Sequence, residues 1–114
     1  WIDIPALKYA ININGVTELI MMKADVLSGI STIKACTHYE VNDKRIDYLP
    51  FEDNNKLTPI YKDFEGWEMD LMKLENLSDA PKAVHDYILW LENTLEIPIT
   101  IVSVGPDRKQ TLLR

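Results

Sequence analysis

Cysteine is almost absent from this sequence. Cys36 is the single one among 114 residues, so no disulfide can form within the chain and a disulfide-stapled scaffold is excluded. A lone thiol suits a reducing compartment. Glycine is sparse at four residues, and no repeat, low-complexity stretch or Gly/Ser linker divides the chain. Long apolar runs are missing: the longest, around Leu19–Met22, is far too short to span a bilayer. No signal-peptide pattern opens the chain. Lys/Arg runs are missing as well. Twelve basic residues stand against eighteen acidic ones, a formal net charge of −6. That lacks the electrostatic footprint of a nucleic-acid binder, but it leaves room for one small anionic ligand held by local groups. Also absent are the motifs GxxxxGK(S/T), GxSxG and HExxH. Neither His38 nor His85 has metal-ligand spacing.

What is present is the makeup of a globular protein. Hydrophobic residues form 46% and charged residues 26% of the chain, which excludes disorder as a description of the whole. The length predicts one domain, able to bury about two-thirds of its surface. From Asp3 to about Asn14, Ile4, Leu7, Ala10 and Ile11 fall on one helical face. Asp3 can cap this helix, Pro5 suits its first turn and Gly15 can end it. Thr17–Lys23 reads as a strand. Its continuous apolar run, Leu19–Met22, predicts cover on both faces, as in a parallel sheet.

Ser31–Val41 alternates, with Ile33, Ala35, Thr37, Tyr39 and Val41 on one face and Lys34, Cys36, His38 and Glu40 on the other. Asn42–Lys44 is turn chemistry and Arg45–Leu49 the hairpin partner. Residues 50–58 read as a loop and Pro59–Asp63 as a short strand. The strongest helix runs from a cap at Ser78 or Asp79 to Glu96, with Pro81 in its first turn. Val84, Tyr87, Ile88, Leu91 and Leu95 form its apolar stripe. Pro98–Ser103 is a second buried strand, its C-terminal end expected beside that of Leu19–Met22. The order indicates an α/β or α+β arrangement. Trp1, Trp67 and Trp90 are expected to pack, and Cys36 to be an inert, half-buried thiol. Glu52–Asp53, Glu65, Glu68 and Asp70 are expected to be solvated.

Two loops directly follow the apolar strands, where ligands bind in open α/β sheets. Lys23-Ala24-Asp25 leaves the first. A carboxylate there can accept guanine's N1–H and 2-amino group together, a pair that adenine does not offer. The Lys stem can lie along the base plane. Taken alone the triplet is common, and a solvated strand exit is the ordinary reading. Ser103-Val104-Gly105-Pro106-Asp107-Arg108 leaves the second. Its Gly allows close backbone approach and its Pro fixes the turn, although from the local pattern alone a plain turn after an edge strand is the better reading.

Read in order, the chain resembles the C-terminal part of the adenylosuccinate synthetase family. The likeness is carried by Trp1-Ile2-Asp3, Ala6-Leu7-Lys8-Tyr9-Ala10, Asn14-Gly15 and Lys23-Ala24-Asp25-Val26-Leu27-Ser28-Gly29. It continues through Lys34, Tyr39, Lys44-Arg45-Ile46, Gly66-Trp67 and Tyr87-Ile88 to Ile101-Val102-Ser103-Val104-Gly105-Pro106-Asp107-Arg108. It spans essentially residues 1–114. Met22 and Ala24 depart from the family's usual Thr and Leu, and Glu65 replaces the usual Pro at a turn before Gly66-Trp67.

The resemblance implies a GTP-dependent, Mg²⁺-requiring ligase that joins inosine monophosphate (IMP) to L-aspartate, giving adenylosuccinate, GDP and phosphate in AMP biosynthesis. It implies a cytoplasmic homodimer whose fold is like that of P-loop GTPases. Lys23, Ala24 and Asp25 would be the guanine-specificity motif, and Ser103, Val104 and Gly105 the second guanine loop. The phosphate loop, the catalytic residues and the Mg²⁺ site would lie in an N-terminal part preceding Trp1. The piece itself would hold no catalytic or metal residue and no activity of its own. The alternative is a stand-alone α/β interaction module without nucleotide chemistry.

Overall fold

Asp3 opens the first helix as its chemistry requires. The computed structural model describes residues 1–51 and 57–114. Its elements are β1 (Ile2–Asp3), α1 (Ile4–Asn14), β2 (Leu19–Met21), β3 (Ile30–Val41), β4 (Lys44–Ile46), β5 (Thr58–Trp67), α2 (Lys82–Leu95), β6 (Ile99–Ser103) and β7 (Thr111–Leu113), with 3₁₀ turns between. At α1 the Asp3 carboxylate accepts from the Ala6 amide at 3.1 Å. Pro5 lies in the first turn, and Gly15, in the left-handed conformation, closes the helix onto the Ile11 carbonyl. The architecture is mixed α/β with parallel and antiparallel pairing. Length alone suggests one domain, yet contacts divide the chain into two compact units, residues 1–16 with 34–63 and residues 17–33 with 64–114. The backbone passes from one to the other within β3 and within β5.

In the first unit β1 pairs parallel to β3, setting Ile2 against Ala35, and β4 pairs antiparallel, setting Tyr39 against Ile46. Neither β1 nor its parallel pairing is signalled by the sequence, because two residues carry no periodicity. The hairpin turns through Asn42 and Asp43 at φ 49° and 61°, the positive-φ pair that a two-residue loop needs. β4 stops at Ile46 and does not reach Leu49. Ala35 and Tyr39 are buried as the alternation predicts, but Cys36 on the opposite face is buried too, only 3% exposed. Its thiol donates to the His38 carbonyl at 3.3 Å. Burial first, and the Asp3 charge second, push that thiol up, and it lies deeper than the half-buried place expected of it. Trp1 does not pack: it is 57% exposed. The Glu52–Asp53 expectation, with the middle of the 50–58 loop, falls outside the described residues.

In the second unit β6 is the centre of a three-stranded sheet, parallel to β2 and antiparallel to β7. β6 buries Ile99, Val102 and Ser103, as the apolar run predicts. β2 does not follow its prediction. It is an edge strand, with Ile20 54% and Met22 65% exposed. An unbroken apolar run records that both faces could be covered, but here Leu19 and Met21 are half-buried while Ile20 on the other face is exposed. β7 is an addition that the sequence reading missed.

Helix α2 buries Val84, Tyr87, Ile88, Leu91 and Leu95, the predicted stripe. Its start differs: Leu77–Asp79 forms a separate 3₁₀ turn, and Pro81 is the N-cap. Ala80, held extended by the following proline, cannot continue a helix begun at Ser78 or Asp79. Phe64 packs edge-on against Tyr87 at 5.1 Å and tilted against Trp90 at 4.6 Å. The expected turn before Gly66-Trp67 is absent, because β5 runs straight through to a buried Trp67. Gly66 is required there, since a Cβ would lie 1.6 Å from the Ile30 carbonyl oxygen. Glu65 and Glu68 are exposed as expected, whereas Asp70 caps the 3₁₀ turn Leu71–Lys73 by accepting from the Met72 amide. No described helix is long and apolar enough to cross a membrane.

Candidate functional site

The parallel pairing of β2 with β6 puts Met21 opposite Val102. The two segments that follow, Lys23–Asp25 and Ser103–Gly105, therefore leave neighbouring strands on the same side of the sheet. Lys23 takes the left-handed conformation at φ 58°, which costs a non-glycine residue of the order of 1 kcal/mol and is typical of functional positions. It starts the 3₁₀ turn Ala24–Leu27, anchored by the fully buried Ala24. Asp25 sits inside this turn, half-buried. Among the described residues its carboxylate has no hydrogen-bond or ion-pair partner, which leaves both of its oxygens free to accept from a ligand.

The second loop is closed by its own chemistry. Ser103 pairs with Thr111 of β7, and its hydroxyl donates to the Gly105 carbonyl at 3.2 Å. The Val104 amide donates to the Gln110 carbonyl at 2.8 Å. Asp107 caps the 3₁₀ turn Arg108–Gln110, accepting from the Lys109 amide at 2.8 Å.

Together the loops line an open cavity of about 530 Å³ whose wall includes Met22, Lys23, Asp25, Ser103, Gly105 and Arg108. Four of the six residues singled out in the sequence thus share one cavity. Ala24 and Val104 do not line it, because both are fully buried behind the wall. Arg108, the last residue of the second candidate loop, lines it too, whereas Thr111 is a lining residue that the sequence reading missed. The signal was available, since Asp107-x-x-Gln110 is a capping-box spacing that places a turn and then a new strand. Size does not single this cavity out: another of about 580 Å³, lined among others by Glu75, His85 and Lys109, contains no predicted residue. Chemistry does. Here an unpaired carboxylate sits beside the cationic Lys23 and Arg108, a hydroxyl and a glycine, an arrangement able to hold the polar edge of a planar ring. Among the described residues no group of three His, Cys, Asp or Glu side chains could hold a metal ion.

A family model described as adenylosuccinate synthetase matches residues 1–112. The chain belongs to the adenylosuccinate synthetase family. It is 53% identical over 115 residues to the adenylosuccinate synthetase of Christiangramia forsetii and 51% identical over 114 residues to that of Phocaeicola vulgatus, covering all of this chain and 27% of each relative. The structure of fully ligated adenylosuccinate synthetase from Plasmodium falciparum superposes with a TM-score of 0.94 at 31% identity, over 100% of this chain and 28% of that one. The chain thus spans about a quarter of the length of the synthetases it matches.

Proposed function

We propose that this chain is the guanine-binding portion of a GTP-dependent ligase that joins IMP and L-aspartate to form adenylosuccinate, with GDP and phosphate as the other products. The observation that carries the reading is the unpaired Asp25 carboxylate in the cavity that Lys23, Ser103 and Gly105 also line. Guanine presents N1–H and the 2-amino group as parallel donors, and one carboxylate accepts both. Lys23, exposed and without an ion-pair partner among the described residues, lays its stem along the ring. Ala24 and Val104 hold the two loops from behind. Family membership supports the ligase class.

The phosphoryl end of the reaction belongs elsewhere in the whole enzyme. This sequence has no GxxxxGK(S/T) loop, and its described residues do not fit Mg²⁺, so no step is drawn through the metal here. We assign the stretch to the C-terminal part of the enzyme, with the phosphate loop, the Mg²⁺ site and the IMP and aspartate sites preceding it on a P-loop GTPase-like fold. The whole enzyme is then a cytoplasmic homodimer, and residues 1–114 alone do not turn over. Sequencing the gene upstream of the Trp1 codon tests the placement, since a phosphate loop encoded there is the expected result.

The base assignment is tested by ligand-induced melting of the full-length enzyme. GDP should raise the melting temperature more than ADP, and Asp25→Asn should abolish the difference. Equal shifts from GDP and ADP in the unmutated enzyme would point to a module that does not read guanine.

A further inference from the structure

Gln110 lies outside every motif that marks the site, yet it uses all four of its hydrogen-bonding groups to shape the Ser103–Gly105 loop. Its carbonyl accepts from the Val104 amide at 2.8 Å, and its own amide donates to the Asp107 carbonyl at 2.8 Å. Its side-chain oxygen accepts from the Asp107 amide at 3.1 Å. Its side-chain nitrogen donates to the Met72 carbonyl at 3.2 Å. A flipped amide would set an NH₂ group against the Asp107 N–H, so the network itself fixes the orientation.

The side chain fills the space that Gly105 leaves empty. A Cβ on Gly105 would stand 2.1 Å from Gln110 Oε1 and 2.5 Å from its Cδ. Gly105 therefore has a second reason to be glycine besides close approach to a ligand: the Gln110 amide occupies the inside of the loop. We propose that Gln110 is a positioning residue for guanine recognition, holding Gly105 and Ser103 against the base through the 104–110 loop and fastening that loop to Leu71–Lys73 through Met72.

This inference rests on the guanine reading of the cavity. Gln110 does not line the cavity, so it acts only through the loop it braces. A misplacement of about 1 Å in a binding element can cost about 10²-fold, and the loss should fall on the nucleotide the loop touches.

The test uses the full-length enzyme with Gln110→Met, Gln110→Glu and, as a reference for the reading itself, Asp25→Asn. Gln110→Met keeps the volume and removes both side-chain hydrogen bonds. It should raise KM for GTP about tenfold or more, with kcat and the KM values for IMP and aspartate within about twofold. Gln110→Glu keeps the acceptor for the Asp107 amide and should recover most of the GTP affinity. A general loss of folding would instead lower kcat and the melting temperature without selecting a substrate, and that result overturns the proposal. An unchanged GTP constant in Gln110→Met alongside a raised one in Asp25→Asn overturns the positioning role and leaves the guanine reading standing. Unchanged GTP constants in both variants overturn the reading and this inference together.

Discussion

Met21 and Val102 face each other across a parallel strand pair although they lie far apart in sequence. This register brings an otherwise ordinary Lys-x-Asp to the same cavity as Ser103 and Gly105. The guanine reading therefore depends on a strand alignment as much as on any side chain.

Replacing Asp25 by Asn should change which base is accepted. An amide offers one acceptor and one donor, so it pairs poorly with guanine's two donors but matches the N1–H and 2-oxo edge of xanthine. In the full-length enzyme, Asp25→Asn should lower kcat/KM for GTP by about 2 kcal/mol and raise the use of XTP relative to GTP. Steady-state kinetics with GTP, ITP and XTP check this, and an unaltered nucleotide ranking would end the assignment.

Lys23 offers a separation of stability from binding. Its φ of 58° suits glycine better than lysine. Lys23→Gly should leave the protein as stable as before or up to about 1 kcal/mol more stable, while weakening GTP binding. Thermal melts paired with GTP titration decide the matter. Lower stability with unchanged GTP affinity would make Lys23 a mere strand exit.

Gly66 is tested by one methyl group. Gly66→Ala drives a Cβ into the Ile30 carbonyl, which is backbone and cannot swing aside. The substitution should destabilise by about 2–3 kcal/mol or more, read as a lower denaturation midpoint. A wild-type midpoint would mean that β3 and β5 separate there at little cost.

Glu92 should make the α2–β6 junction sensitive to acid. Its carboxylate accepts from the Ile99 amide at 2.7 Å and pairs with the Arg114 guanidinium. Burial alone would raise its pKa, but the Arg114 hydrogen bond, the Ile99 amide and the Arg114 charge together hold it below the usual glutamate value. A carboxylate depressed in the folded state adds stability above its unfolded value, about 4.3, and loses it as pH falls through the lower folded value. Protection of the Ile99 amide, relative to its intrinsic exchange rate at each pH, should therefore fall as pH drops below the unfolded glutamate value. In Glu92→Gln that acid step should vanish, with about 1–2 kcal/mol already lost at neutral pH. An identical acid profile in the variant would refute the role.

The legible parts of this fold were those with local chemistry. Asp3, Pro5 and Gly15 bound α1 because caps act within one turn, and the α2 stripe followed from its 3.6-residue period. Other features were hidden because their cause lies elsewhere in the chain. β1 pairs two residues only. β5 continues past Phe64 because Gly66 lets a distant carbonyl approach. The exposure of Ile20 and Met22 could not be read from an apolar run, which states a preference and not its satisfaction. At the site, Lys23, Asp25, Ser103, Gly105 and the loop to Arg108 were legible, whereas the part of Thr111 required knowing that β7 returns beside β6.

The pairing of Leu19 with Ile99 also sets an order of events during synthesis. A parallel strand pair separated by some eighty residues has a high contact order and forms slowly. Among the described residues β2 pairs with β6 alone, and the intervening residues 34–63 belong to the other compact unit. Lys23 and Asp25 leave the ribosome before Ser103 and cannot form the cavity with it until it arrives. Until β6 docks, the Leu19–Met22 segment is an apolar strand open to edge-to-edge association.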